Sequence, residues 1–158
     1  MTKSQRHSFE LLMTEHQHLE ALVKEVEPFL DPGMPQPVEA IVARDRLAAT
    51  LADHLAREDA DIYPFLISSN DPKTAQTAAE FQKKFGDLVM AWTAYLTDWT
   101  KESATLDWTG FVTITRKIFA RLTERIIAEN ALLYPAALSA SIIVLRQSNT
   151  AARVSSHF

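Results

Sequence analysis

Two stretches of the chain follow one pattern: LADHLAREDADIYP at residues 51–64 and LTERIIAENALLYP at residues 122–135. Both place apolar residues at helical spacing, and both end in a Tyr-Pro pair. In the first stretch, His54 and Glu58 lie one helical turn apart on one face. An imidazole and a carboxylate in that arrangement suit two ligands of the same metal ion. The repeat therefore predicts two helices that are copies of one ligand-bearing unit.

Proline and glycine divide the chain into long segments, because they are few and clustered. The stretch DPGMPQP cannot continue a helix, whereas Asp71-Pro72 and Asp107 are typical helix starts. The predicted helices cover about residues 4–30, 37–67 and 72–101, with a fourth from Asp107 onward. No strand-like alternation competes with them. The sequence therefore predicts an all-α fold, an up-down-up-down antiparallel four-helix bundle.

The bundle is predicted to span residues 1–138, and residues 139–158 form a C-terminal tail with some helical content. The chain has 16 Lys and Arg against 20 Asp and Glu and no basic cluster, so nucleic acid is not an expected partner. No apolar run is long enough to span a bilayer, so we expect no membrane partner and a cytoplasmic location. Since the chain has no cysteine, any metal must be bound by histidine and carboxylate side chains.

Polar residues interrupt the apolar stripes of the first, second and fourth predicted helices. Residues of adjacent antiparallel helices face each other when they are equally far from the connecting turn, and His16 and His54 lie about 14 and 17 residues from the first turn. The positions that match in this way across all three turns are His16, His54, Glu58, Phe81, Arg125 and Glu129. Buried charges are costly unless they are paired or bind a metal. The layer therefore predicts a metal site or a polar network.

These residues resemble the motifs of the hemerythrin-like domains, the HHE cation-binding four-helix bundles. The resemblance covers nearly all of the chain up to about residue 138. In that family an early helix offers a Glu-His pair, similar to Glu15-His16, and the second helix offers H-x-x-x-E before an aromatic residue and proline, similar to residues 54–64. The third and fourth helices offer a second copy of each motif. The resemblance implies two irons bridged by two carboxylates, serving oxygen binding or the sensing of oxygen, nitric oxide or iron.

The sequence departs from the family pattern at two histidine positions, which Phe81 and Arg125 occupy. Phenylalanine has no donor atom and arginine stays protonated, so neither can bind a metal. The resemblance leaves enough candidate ligands for at most one ion of iron, zinc or manganese: His16, His54, Glu58 and Glu129. Tyr63 and Tyr134 are expected to hydrogen-bond around these ligands.

Arg125 would place a fixed positive charge where the second metal of the family lies, and two interpretations stay open. In the first, the guanidinium complements that position, and one ion persists at His16 and His54. In the second, it captures both carboxylates, Glu58 and Glu129, and the protein binds no metal.

Three functions follow from these interpretations. The first is a hemerythrin-like metal-binding or sensing protein whose centre is reduced or lost, and which does not carry oxygen on two irons. The second is a redox or stress-response protein that uses one iron or manganese ion. The third is a metal-free interaction module with a homodimer or protein partner. No catalytic residue is assigned, so the sequence favours binding over catalysis, with oxygen or nitric oxide as candidate small ligands.

Overall fold

A computed structural model describes residues 7–145, and within them the chain forms a bundle of four long helical arms. The first arm is α1 (Phe9–Val26) with a 3₁₀ turn at Glu27–Phe29, and the second is α2 (Pro37–Asp61) with α3 (Tyr63–Ile67). The third arm is α4 (Pro72–Phe85) with α5 (Leu88–Asp98), followed by the short α6 (Lys101–Leu106). The fourth is α7 (Trp108–Ala128), a π-helix at Glu129–Leu133 and α8 (Tyr134–Ser139). The predicted all-α bundle is confirmed.

Side-chain caps explain where several helices start. Ser8 accepts a hydrogen bond from Leu11 N at 3.2 Å, so α1 starts at Phe9, later than the predicted residue 4. Asp71 accepts from Thr74 N at 3.3 Å, and Asp107 accepts from Gly110 N at 3.0 Å. The two predicted caps at Asp71 and Asp107 are therefore present.

The prediction of one continuous third helix over residues 72–101 is wrong, because this arm breaks twice. At Gly86 a Cβ would collide with the carbonyl oxygen of Gln82, so only glycine fits there without a shift of the backbone. Asp87, the next residue, accepts a hydrogen bond from Arg121 of α7 at 2.7 Å. The second break follows Asp98, where Thr100 forms a capping box that starts α6.

Both Tyr-Pro pairs coincide with irregular helix. Proline has no backbone N–H and its ring clashes with the carbonyl four residues before, so each pair disturbs the preceding turn. Phe65 and Leu132, which the helical spacing places on the inner face, are 59% and 57% exposed. Leu66 and Leu133 are fully buried instead. The irregular turns therefore shift the inward face by one residue in both arms.

The core consists of two apolar clusters with a polar layer between them. The larger cluster includes Leu19, Leu55 and Leu122, and the smaller one includes Leu12 and Ile62. Along the first, second and fourth arms, the polar layer lies where the chain passes from one cluster to the other. Apolar packing therefore closes the layer at both ends.

The described part of the predicted tail packs against the bundle. Ile143 is 1% exposed and belongs to the smaller apolar cluster. Phe9 N donates to Val144 O at 2.8 Å, and Val144 N donates to His7 O at 3.1 Å. The remainder of that tail, residues 146–158, lies outside the described residues. No helix between residues 7 and 145 is long and apolar enough to cross a membrane.

Candidate metal centre

The structure brings four of the sequence-predicted residues together in the polar layer. His16 comes from α1, His54 and Glu58 from α2, and Glu129 from the first position of the π-helix. All four side chains are buried, and one potential ligand atom from each lies within 4.8 Å of the others. The layer therefore gathers two imidazoles and two carboxylates from three arms of the bundle.

The two imidazoles are oriented by acceptors behind them. His54 Nδ1 lies 2.8 Å from Glu15 Oε1, and His16 Nδ1 lies 2.6 Å from Asn130 Oδ1. A carboxylate or amide oxygen only accepts, so each Nδ1 carries a proton and donates it. In a neutral imidazole the other nitrogen, Nε2, then presents a lone pair. Both Nε2 atoms therefore face the centre of the layer as acceptors.

At the centre of the layer, the two Nε2 atoms and the carboxylate oxygens lie close together, with fewer protons than there are contacts between them. The Nε2 atoms of His16 and His54 are 3.0 Å apart. His16 Nε2 is also 3.0 Å from Glu129 Oε1, and His54 Nε2 is 3.1 Å from Glu58 Oε1. Lone pairs at these separations repel each other. The arrangement therefore requires either a metal ion or a further proton among the four atoms.

The spacing fits a metal ion. Two donors that each lie about 2.1 Å from one ion at a right angle are about 3.0 Å apart. The distances from His16 Nε2 to His54 and to Glu129 both have this value. The hydrogen bonds at Nδ1 are also those that metal-binding histidines usually make, because they fix the tautomer and the ring orientation.

A proton is the alternative cation. Burial opposes the charged form of His54, but the hydrogen bonds to Glu58 and Glu15 outweigh it and raise the pKa of this imidazole. Burial also favours the neutral form of Glu58, yet His54 and Arg125 lower the pKa of this carboxyl to about 2. Burial and the charge of Glu58 raise the pKa of Glu129. The metal-free layer therefore concentrates negative charge on Glu58 and positive charge on His54.

Arg125 lies inside the same layer and binds both carboxylates. Its Nε donates to Glu129 Oε2 at 2.9 Å, and its Nη2 donates to Glu58 Oε1 at 3.3 Å. Weaker contacts at 3.4 Å join it to Asp59 Oδ1 and to the carbonyl oxygen of Phe85. Burial opposes the charge, but the two glutamates raise the pKa of Arg125 above its ordinary value. Arg125 is therefore a permanent cation with its donors directed at the carboxylates.

The two tyrosines that end the sequence repeats also reach the layer. Tyr63 OH donates to Glu129 Oε2 at 2.9 Å, and Tyr134 OH donates to Glu58 Oε2 at 2.7 Å. In the metal-free layer, burial and the nearby carboxylates raise the pKa of both phenols, so both are protonated donors there. Phe81 does not share this network; it is buried against Phe85 in the smaller apolar cluster, with ring centroids 5.7 Å apart.

Sequence reasoning did not assign Glu15 and Asn130 to the site. Each directly adjoins a candidate ligand, and neighbours on a helix point about 100° apart, so their side chains were not expected inside. Glu15 instead reaches across to α2, where Arg57 Nη1 also donates to it at 2.7 Å. The Glu-His pair of the first helix was the available signal for Glu15. For Asn130 no comparable signal exists, because its position depends on the π-helix.

Comparison with known proteins identifies one family. The chain matches the family described as hemerythrin HHE cation binding domain over residues 7–137. That range contains every residue of the polar layer. No curated protein and no solved structure gives a match.

Proposed function

The chain belongs to the hemerythrin HHE cation-binding family, and we propose that it binds a single metal ion, iron in the first instance and zinc or manganese as alternatives. The proposed ligands are His16, His54, Glu58 and Glu129. The observation that carries this proposal is the 3.0 Å separation of two Nε2 atoms whose Nδ1 atoms both face acceptors. A metal ion accepts all of these lone pairs at once.

Arg125 supports a limit of one ion per chain. A guanidinium that binds both carboxylates neutralises them as a second cation would, and it repels a further ion. The Oε2 atom of Glu129 is also held by Tyr63. We therefore propose a mononuclear centre that does not carry oxygen on two irons.

The role proposed for this centre is metal binding or sensing. An iron ion would supply one-electron chemistry or a binding position for a small ligand such as oxygen or nitric oxide. The chain's own residues preorganise the centre. Glu15 and Asn130 keep protons on the two Nδ1 atoms. The two apolar clusters exclude water from the layer.

A metal-free interaction module is the second candidate, and the contacts of Arg125 favour it. The guanidinium satisfies both carboxylates, and a proton on His54 would remove the repulsion between the two Nε2 atoms. In this case the layer is a buried polar network, and function resides on the outer surface of the bundle.

Metal content decides between the two candidates. Untagged protein produced with added iron is analysed by mass spectrometry, and we expect about one iron per chain. Replacing His16 with alanine removes that iron, whereas replacing His18, which is exposed on the same helix, leaves it in place. Two irons per chain contradict the mononuclear centre. No metal in the wild-type protein supports the metal-free module.

A further inference from the structure

The two tyrosines of the repeat occupy equivalent positions in sequence but different surroundings in the structure. Tyr63 places its ring 5.2 Å from the guanidinium carbon of Arg125, and its hydroxyl bonds to Glu129. Tyr134 stacks on His16, with ring centroids 4.9 Å apart and planes inclined by 17°. Its hydroxyl lies 2.7 Å from Glu58 Oε2 and 2.9 Å from His16 Nε2. Tyr63 therefore lies beside the guanidinium of Arg125, whereas Tyr134 lies beside two of the proposed metal ligands.

Tyr134 and His16 have no proton available to form a hydrogen bond with each other, and the same is true of the two histidines. The single hydroxyl proton of Tyr134 is donated to Glu58 Oε2. His16 donates its own proton from Nδ1 to Asn130, so its Nε2 presents a lone pair. A phenol oxygen lone pair and an imidazole lone pair therefore face each other over 2.9 Å. This separation matches the 3.0 Å between the neighbouring donors around the centre.

We propose that Tyr134 is a fifth ligand of the metal ion, binding through its phenolate oxygen. This inference rests on the proposed metal function. As the bond from oxygen to the metal forms, the O–H bond breaks, the proton passes to solvent, and no electrons are exchanged. A hard anionic oxygen added to two carboxylates favours a hard, highly charged ion. The fifth ligand therefore makes ferric iron the preferred occupant over zinc or manganese.

Visible spectroscopy of the ferric protein tests the proposal. A phenolate bound to ferric iron gives a charge-transfer absorption in the visible range, which imidazole and carboxylate ligands do not give. The metal-free form of the whole 158-residue chain is titrated with ferric citrate, and we expect this band to saturate at one iron per chain. The Tyr134→Phe variant retains iron and loses the band. The matched Tyr95→Phe variant retains both, because the buried Tyr95 hydroxyl bonds to Thr115, outside the polar layer.

Failure of this inference is distinguishable from failure of the metal site itself. One iron per chain without a phenolate band, or with a band that survives in Tyr134→Phe, overturns the fifth ligand and leaves the four-ligand site standing. No bound iron overturns the fifth ligand, and a protein that binds none of iron, zinc and manganese overturns the metal site as well. Resonance Raman spectroscopy of the wild-type protein gives an answer even if a variant fails to fold, since excitation in the band must enhance tyrosine ring vibrations.

Discussion

Tyr63 donates its hydroxyl proton to Glu129 over 2.9 Å, although the two residues belong to different copies of the sequence repeat. The reverse bond, from Tyr134 to Glu58, is 2.7 Å long. Each copy therefore holds the carboxylate of the other, and the second and fourth arms are joined twice across the polar layer. Because both bonds end on buried carboxylates, they are stronger than bonds between neutral groups.

Replacing Arg125 with leucine should destabilise the metal-free protein strongly. The change leaves Glu58 and Glu129 buried without their shared cation, and breaking a buried ion pair on one side costs about 3–5 kcal/mol. Urea unfolding followed by circular dichroism measures the difference in the free energy of unfolding. Arg121→Leu is the matched control, because its partner Asp87 is exposed and little change is expected. Equal effects of the two substitutions would rule out a special role for the buried arginine.

Restoring both missing histidines should raise the metal content. The double variant Phe81→His with Arg125→His removes the permanent cation and adds two imidazoles where the family pattern has them. We expect the iron content to rise from about one to about two per chain, measured by mass spectrometry. Phe81→His alone should stay at one, because Arg125 still binds both carboxylates. A double variant that binds no additional iron would show that these two positions do not share a layer.

Replacing Asn130 with alanine should weaken metal binding without removing a ligand. The change deletes the acceptor at His16 Nδ1, and loss of such a partner lowers metal affinity roughly 10- to 100-fold. Calorimetric titration with ferrous iron under anaerobic conditions gives the dissociation constant. Asn70→Ala, at an exposed position, should bind as the wild type does. An unchanged affinity in Asn130→Ala would mean that the tautomer of His16 is fixed by another group.

Acid should destabilise the metal-free protein through Glu58. Its pKa is about 2 when folded, against an ordinary value of 4.5, so the folded state favours the charged carboxylate. This contribution is fully present above pH 4.5 and is lost as the pH falls from 4.5 towards 2. Glu129 has a raised pKa in the folded state, so its contribution to stability falls as the pH rises above 4.5. Urea midpoints measured across this range should fall with acid in the wild type and fall less in Glu58→Gln.

The register of the polar layer was predictable because it depends on helix geometry. A constant rise per residue places His16, His54, Glu58 and Glu129 at one height, and the short turns leave little freedom to slide. The structure brings these four together. Helix starts at Asp71 and Asp107 were predictable for a similar reason, since a side-chain cap is a local interaction.

Features that depend on departures from the ideal helix were not predictable. The break at Gly86 reflects a close approach to the Gln82 carbonyl, which no apolar pattern records. Asn130 reaches His16 from the π-helix that starts at Glu129, whose turn is wider than an α-helical one.

That wide turn makes the length of the fourth arm a determinant of its chemistry. Winding the Glu129–Leu133 segment as a regular α-helix, with every residue kept, would rotate everything beyond it by about 100°. Leu132 would turn inward, and Tyr134 would leave both His16 and Glu58. A bundle of the same composition would then present a different set of donors. In this protein one inserted residue, and not only the identity of the side chains, determines which atoms meet at the centre.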